Sequence, residues 1–384
     1  MQKVIKADRF FLENEVLDEG YLSIRDGKFA IYTQEVPENM DDIIDYTGKW
    51  IAPGLVDTHI HGFHGSDVMD ATIEAIDTIS KGLPSAGVTN YIATSLTASV
   101  EQIDCVVANV AKAKEQVEGA KIEGIFLEGP FFVEEHKGAQ NANYFIAPSP
   151  EVLDQWQESA NHLILKSALA PEYPETEAYI KHARSIGVEV AIGHTDATYD
   201  QARNAVDAGA KLFVHTYNGM RGLHHREPGV VGAAMTLQNT YAELIADGHH
   251  VTPGAIQALL NARNRENTLL VTDCMRAGGL PDGNYTLGEY PVIVKNGAAR
   301  LESGSLAGSV LQLKDAVRNL VHWNLATVHQ AINMASVVPA RSLGIDDHCG
   351  SIKKDRQADF IVLSPDLELH ATYIDGNLVY KEEK

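Results

Sequence analysis

The chain has 384 residues, 45% of them hydrophobic and 22% charged, with a formal net charge of −21. That charge argues against nucleic acid and against an anionic membrane surface, since both demand a basic face. No apolar run approaches the roughly 20 residues that cross a bilayer, and Met1-Gln2-Lys3-Val4-Ile5-Lys6 lacks a signal-peptide core, so a cytoplasmic protein is expected. The three cysteines, Cys105, Cys274 and Cys349, lie far apart without a Cys-x-x-Cys, so no Cys-based zinc site is expected and any metal falls to histidines and carboxylates.

Residues 1–50 read as short strands and turns, with Leu22-Ser23-Ile24 and Phe29-Ala30-Ile31-Tyr32 flanking an Asp26-Gly27 turn. From about residue 50 to 277, short apolar runs alternate with longer amphipathic stretches. Strands are predicted over 51–61, 88–94, 122–128, 163–170, 188–194, 212–215, 242–247 and 269–273, with helices over 99–117 and 175–185 among the segments between them. Eight such units in succession predict an α/β fold, a parallel (β/α)8 TIM-like barrel. Residues 349–384 return to short strands, Phe360-Ile361-Val362-Leu363 and Ala371-Thr372-Tyr373-Ile374. The two β-rich ends, 1–50 and 345–384, are expected to pair as a small β-sandwich domain beside a barrel domain of residues 51–344.

The polar residues that close the strands carry the chemistry. Strand 1 ends in His59-Ile60-His61-Gly62. Residues i and i+2 of a strand project from one face, roughly 7 Å apart, so two such imidazoles can converge on one metal ion. Strand 3 ends at Glu128, strand 5 at His194, strand 6 at His215 and strand 8 at Asp273. All fall on the face where barrel enzymes build their sites. Six such groups on one rim need mutual compensation, and a divalent cation supplies it. Cys274, next to Asp273, is expected to point away and pack.

Those strand-end residues resemble the amidohydrolase superfamily. Within it, Leu127-Glu128-Gly129-Pro130-Phe131, Lys137-Gly138-Ala139, Gly193-His194-Thr195, Arg226-Glu227-Pro228-Gly229, Ile245-Ala246-Asp247-Gly248, Thr272-Asp273 and Leu306-Ala307-Gly308-Ser309 resemble the N-acetylglucosamine-6-phosphate deacetylase family. The resemblance implies hydrolysis of the acetamide of N-acetylglucosamine 6-phosphate by metal-bound hydroxide, with Asp273 as general base and then acid. It assigns Glu128, His194 and His215 to a principal ion, and His59 and His61 to a second. One or two divalent cations per chain are implied, and all-N/O ligands suit zinc, iron, cobalt or manganese.

Around the substrate it places Ala139, Gln140, Asn218, Gly219, Arg226, His250, Leu306, Ala307 and Gly308. Arg226 is expected to grip the phosphate in the neighbouring subunit's site, which implies a homodimer. Two positions depart from the family pattern. Gln140 stands where a histidine is common, and it can donate a hydrogen bond but carry no charge. Asp355 replaces a usual glycine and affects only a turn. His64, His224, His225 and His249 receive no role. An N-acyl amino acid deacylase, a cyclic-amide hydrolase or an inactive sugar-phosphate-binding protein are the competing readings.

Overall fold

Eight parallel strands follow one another around a barrel in chain order: β1 (Leu55–Ile60), β2 (Val88–Ser95), β3 (Lys121–Phe131), β4 (Ile164–Leu169), β5 (Glu189–Ile192), β6 (Leu212–Phe213), β7 (Tyr241–Leu244) and β8 (Thr268–Leu270). This computed structural model describes residues 2–36 and 43–382. The barrel closes between β1 and the segment after β8. There the Asp273 N–H donates to the His59 carbonyl at 2.8 Å, and the His61 N–H donates to that of Cys274 at 2.9 Å. Asp57 staples the same seam by accepting from the Thr272 hydroxyl at 2.6 Å. Burial pushes its carboxyl up to about 6 against that hydrogen bond.

All eight predicted strands are present, but several stop earlier than their apolar runs. The cause is local. His194, His215 and Asp273 have φ values of 46°, 28° and 50°, so the chain leaves the strand conformation at each of them. Non-glycine residues rarely occupy this left-handed region. β1 and β3 also slip register beside their polar residues, between Asp57 and Ile60 and between Leu127 and Phe131. Such irregularities turn side chains that strict alternation would send elsewhere.

Helices cover the outside. The one over Val100–Lys114 starts at Ser99, whose hydroxyl accepts from the Gln102 N–H while Gln102 returns a bond to the Ser99 backbone. Its Ile103, Val106, Val107 and Val110 are buried at helical spacing against the barrel. The helix over Thr176–Ser185 likewise falls where its pattern predicts. Inside, Val56, Ile92, Phe126, Ala168, Ala191 and Leu212 form an apolar floor, closed below by Ala340, Leu343 and Ile345. No helix among the described residues is long and apolar enough to cross a membrane.

The two chain ends pair with each other in a single eight-stranded sheet. Its order is Asn377–Lys381, Leu369–Ile374, Phe360–Leu363, Ile43–Pro53, Gln2–Phe11, Gly20–Arg25 and Lys28–Thr33, with Val16–Leu17 also paired to Gln2–Phe11. The sheet folds over on itself: the Phe29 N–H donates to the Arg356 carbonyl at 3.0 Å, and the rings of Phe29 and Phe360 lie 6.2 Å apart. Between the layers sit Ile5, Phe10, Leu22 and Tyr373. Residues 1, 37–42 and 383–384 of the expected terminal unit lie outside the described residues.

One element is absent from the sequence reading. Gly283–Leu287, Tyr290–Lys295 and Ala298–Arg300 form a three-stranded antiparallel sheet. Its signal was the Asn296-Gly297 turn, with φ of 53° and 75°, beside the alternation of buried Val292 and Val294 with exposed Ile293. It packs through Leu287, Val292 and Val294 onto Leu96, Met275 and Ala307, above the barrel mouth.

Candidate active site

Glu128 is the hub of the barrel mouth. Its Oε1 lies 3.3 Å from His59 Nε2, 3.3 Å from His194 Nε2 and 3.2 Å from His215 Nε2. Its Oε2 lies 3.2 Å from His61 Nε2 and accepts a hydrogen bond from Gln140 Nε2 at 2.8 Å. Asp273 Oδ1 completes the ring, 3.1 Å from His61 Nε2 and 3.4 Å from His59 Nε2. All six residues are buried.

Each histidine's other nitrogen is already committed. Nδ1–H of His59 donates to Glu243 at 3.0 Å, that of His61 to the Thr94 carbonyl at 3.2 Å, that of His194 to the His136 carbonyl at 2.9 Å, and that of His215 to the Asn218 carbonyl at 3.1 Å. With Nδ1 protonated, all four Nε2 atoms present lone pairs to the carboxylates and to one another; His194 and His215 approach to 3.1 Å. His59 Nε2 is fully buried and has no hydrogen-bond partner among the described residues. Lone pairs gathered on carboxylate oxygens repel unless a cation lies between them. The donors form two sets that share Glu128: His59 with His61, and His194 with His215. They are hard and borderline N/O ligands with oriented outer partners, and they fit divalent cations.

Electrostatics points the same way. Burial opposes a charged His59, but Glu128, Asp273 and Glu243 overcome it and raise the imidazole to about 9. His61 is raised as well, by Asp273 and Glu128. Burial also resists the charged form of Glu128, yet the surrounding histidines, His59 foremost, hold its carboxyl well below the ordinary range. The pocket therefore demands positive charge beside fixed carboxylates, as protons on His59 and His61 or as metal ions that take their place on Nε2.

Beneath the ring lies a pair that the sequence reading did not find. Lys166, fully buried on β4, makes an ion pair with Glu243 on β7 and sits 3.7 Å over the Phe126 ring. Glu243 passes its charge on to His59 Nδ1 and accepts from the His215 N–H at 3.1 Å. Burial opposes its charge, but Lys166 and His59 hold it down to about 2. A lysine inside an apolar run reads as an outward residue, and only barrel closure reveals its partner.

The ring opens into a cleft of about 260 Å³. Ala139, Gln140, Asn218, Gly219, His250, Leu306 and Gly308 line it, as expected of them, joined by the unpredicted Leu96, Leu287 and Ser305. Gly219, at φ 58°, passes so close that an added Cβ would lie 3.0 Å from His194 Nδ1. Gln140 is fixed at both ends, because its Oε1 accepts from the Thr97 N–H at 2.9 Å. His250 is oriented by Asp247, 2.6 Å from its Nδ1. Ala307 does not face the cleft; it is buried under the three-stranded sheet with its N–H spent on the Ala299 carbonyl. Cys274 is buried and outside the ring. Arg226 is exposed, with Nη1 2.7 Å from His225 Nε2, and does not line this chain's own cleft. Among the described residues lining the cleft there is no lysine or arginine.

A parallel barrel with paired histidines after its first strand and a shared carboxylate after its third defines a recognisable class. The chain belongs to the amidohydrolase family, whose profile matches residues 50–379. Within that family it is similar to proteins named as deacetylases of N-acetylated amino-sugar 6-phosphates. It is 45% identical over 331 residues to the N-acetylglucosamine-6-phosphate deacetylase of Vibrio furnissii, covering 86% of this chain and 83% of that one. It is 39% identical over 379 residues to the N-acetylgalactosamine-6-phosphate deacetylase of Escherichia coli O157:H7, covering 98% and 99%. A solved mutant of the N-acetyl-D-glucosamine-6-phosphate deacetylase of Mycobacterium smegmatis, in complex with N-acetyl-D-glucosamine-6-phosphate, superposes with a TM-score of 0.94 at 30% identity, over 99% of this chain and 100% of that one.

Proposed function

We propose that this protein hydrolyses the acetamide of N-acetylglucosamine 6-phosphate to glucosamine 6-phosphate and acetate. The observation that carries the reading is the ring of four Nε2 lone pairs around Glu128 with Asp273 at its edge, opening into a cleft of small-molecule size. Glu128, His194 and His215 would hold one divalent cation; His59, His61 and Glu128 would hold the second. When bound, such an ion supplies a water acidic enough to ionise near neutral pH. Asp273 is the chain's proton carrier: it takes the proton of the attacking water and returns it to the departing amine, which leaves poorly as an anion. Gln140 holds Glu128 in place and offers the cleft no charge.

The phosphate requires a cation that this chain's cleft lacks. We assign it to Arg226 of a second copy, so the working enzyme is a homodimer, and the exposed position of Arg226 supports that reading. Asn218, whose backbone N–H and carbonyl both bond His215, offers its side-chain amide at the same end, Gly219 offers its backbone N–H, and His250 meets the sugar. Residues 1–50 with 345–384 serve as a supporting unit for the 51–344 barrel. A phosphorylated sugar substrate and three unpaired cysteines suit a reducing cytoplasm.

The test is amine release from the 6-phosphates of N-acetylglucosamine, N-acetylgalactosamine and N-acetylmannosamine and from unphosphorylated N-acetylglucosamine, with metal content measured on the same sample. N-Acetylglucosamine 6-phosphate is expected to have the highest kcat/KM, and no turnover of it in a metal-replete sample defeats the proposal. Arg226→Ala is expected to raise KM for the phosphorylated sugar by about 10- to 100-fold, the value of a charge-assisted hydrogen bond of roughly 1.5–3 kcal/mol. An unchanged KM would remove the phosphate role. His59→Ala combined with His61→Ala is expected to lower bound metal from two ions per chain to one, read by elemental analysis.

A further inference from the structure

At the opposite end of the barrel, Glu123 near the start of β3 meets His348 and Cys349, which follow the helix over Val337–Ser342. One donor atom from each lies within 4.8 Å of the other two. His348 Nε2 is 3.0 Å from Glu123 Oε2. Both groups are held by outer partners: Asn90 Nδ2 donates to Glu123 Oε1 at 2.6 Å, and His348 Nδ1–H donates to Asp347 at 2.6 Å. A carboxylate behind the far nitrogen of an imidazole is the arrangement that orients a metal-ligating histidine. Cys349 is buried, and among the described residues its thiol bonds only the Ile345 carbonyl, at 3.3 Å.

Alongside is a cleft of about 340 Å³ that reaches Glu123 and His348. The two lysines lining it are already engaged. Lys121 is held by Asp359 and Asp375 at 3.0 and 2.7 Å, and Lys114 bonds the Ile122 carbonyl.

We propose that Glu123, His348 and Cys349 form a second kind of metal site, separate from the barrel mouth, that takes a thiophilic divalent cation such as Zn²⁺. One thiolate, one carboxylate and one neutral imidazole balance a 2+ ion, and the set suits borderline-soft metals. Binding releases the Cys349 thiol proton to solvent, along with any proton on His348 Nε2, and leaves remaining positions to water. The ion would clip the turn at 347–349 to the base of β3. Sequence spacing hides the site, because Glu123 lies 225 residues from His348.

The barrel-mouth donors are all nitrogen and oxygen, so sulfur spectroscopy isolates the new site. Protein stripped with a chelator is titrated with Co²⁺. The expected result is a thiolate-to-cobalt band in the near ultraviolet that has saturated once about three equivalents are bound in total, two of them at the barrel mouth, and is bleached by Zn²⁺. Cys349→Ser and, separately, His348→Ala should abolish the band and lower bound cobalt by one ion per chain, while deacetylase kcat/KM stays within twofold. Cys105→Ser should leave the band intact. The band's absence from the unaltered chain, or its persistence in Cys349→Ser, overturns the proposal. Because His348 is part-exposed, its variant keeps the test decisive even where Cys349→Ser disturbs packing.

Discussion

Asp273→Asn should lower kcat by about 10³-fold while bound metal and KM stay near their original values. Removing a positioned general acid–base group costs typically 10²–10⁴-fold. Asparagine preserves the shape and the neighbouring backbone bonds, and removes only the ability to accept a proton. Burial resists charge on Asp273, but His59 and His61 hold its carboxyl below the ordinary range. The base is therefore ready at neutral pH, and activity should fall only as acid returns its proton. That acid limb of the rate profile should vanish in the variant. A kcat within tenfold of the original would transfer the proton role elsewhere; Asp57, buried and already bonded to Thr272, does not line the cleft.

Glu128→Gln should be the more damaging change, because it strikes both donor sets at once. In structural zinc sites one of four ligands carries roughly 3 kcal/mol of an apparent 10–16 kcal/mol; each ion here has three protein donors, so loss of the shared one should weaken it by at least about 10²-fold. The amide also presents an N–H to histidine lone pairs or leaves them facing one another. Elemental analysis after dialysis should find less than one ion per chain, and activity should fall with it. High metal concentration should restore part of that activity, which separates lost metal from lost fold. Full retention of two ions would show that Glu128 does not bridge.

Much of the site was readable because barrel strands end at their ligands. His59, His61, Glu128, His194, His215 and Asp273 each follow an apolar run, and strand order fixes which rim they share. The runs overstated strand length, since period and hydropathy do not register the positive φ that His194, His215 and Asp273 adopt. The supporting shell was not legible. The carbonyls of Thr94, His136 and Asn218 that orient three of the histidines are anonymous in a sequence, and Lys166 and Glu243 acquire meaning only from each other across the barrel. Arg226 stays a matter of assembly, since no residue of this chain's own cleft needs it. The sheet of residues 283–300 was within reach, through Asn296-Gly297, for a reading that looked past the eighth strand.

The shared terminal sheet has a consequence for biosynthesis. Phe360–Leu363 lies against Ile43–Pro53, about 300 residues earlier in the chain. A ribosome making about 5–20 residues per second leaves that early strand without its neighbour for roughly 15–60 seconds. During that interval an exposed strand edge must wait, and unpaired edges recruit strands from other chains. The barrel waits less, because its strands pair with neighbours in sequence and only the closing seam between Asp57 and Thr272 spans 215 residues. Slow or interrupted translation should therefore jeopardise the terminal sheet first, and aggregates formed during synthesis should be seeded through residues 43–53.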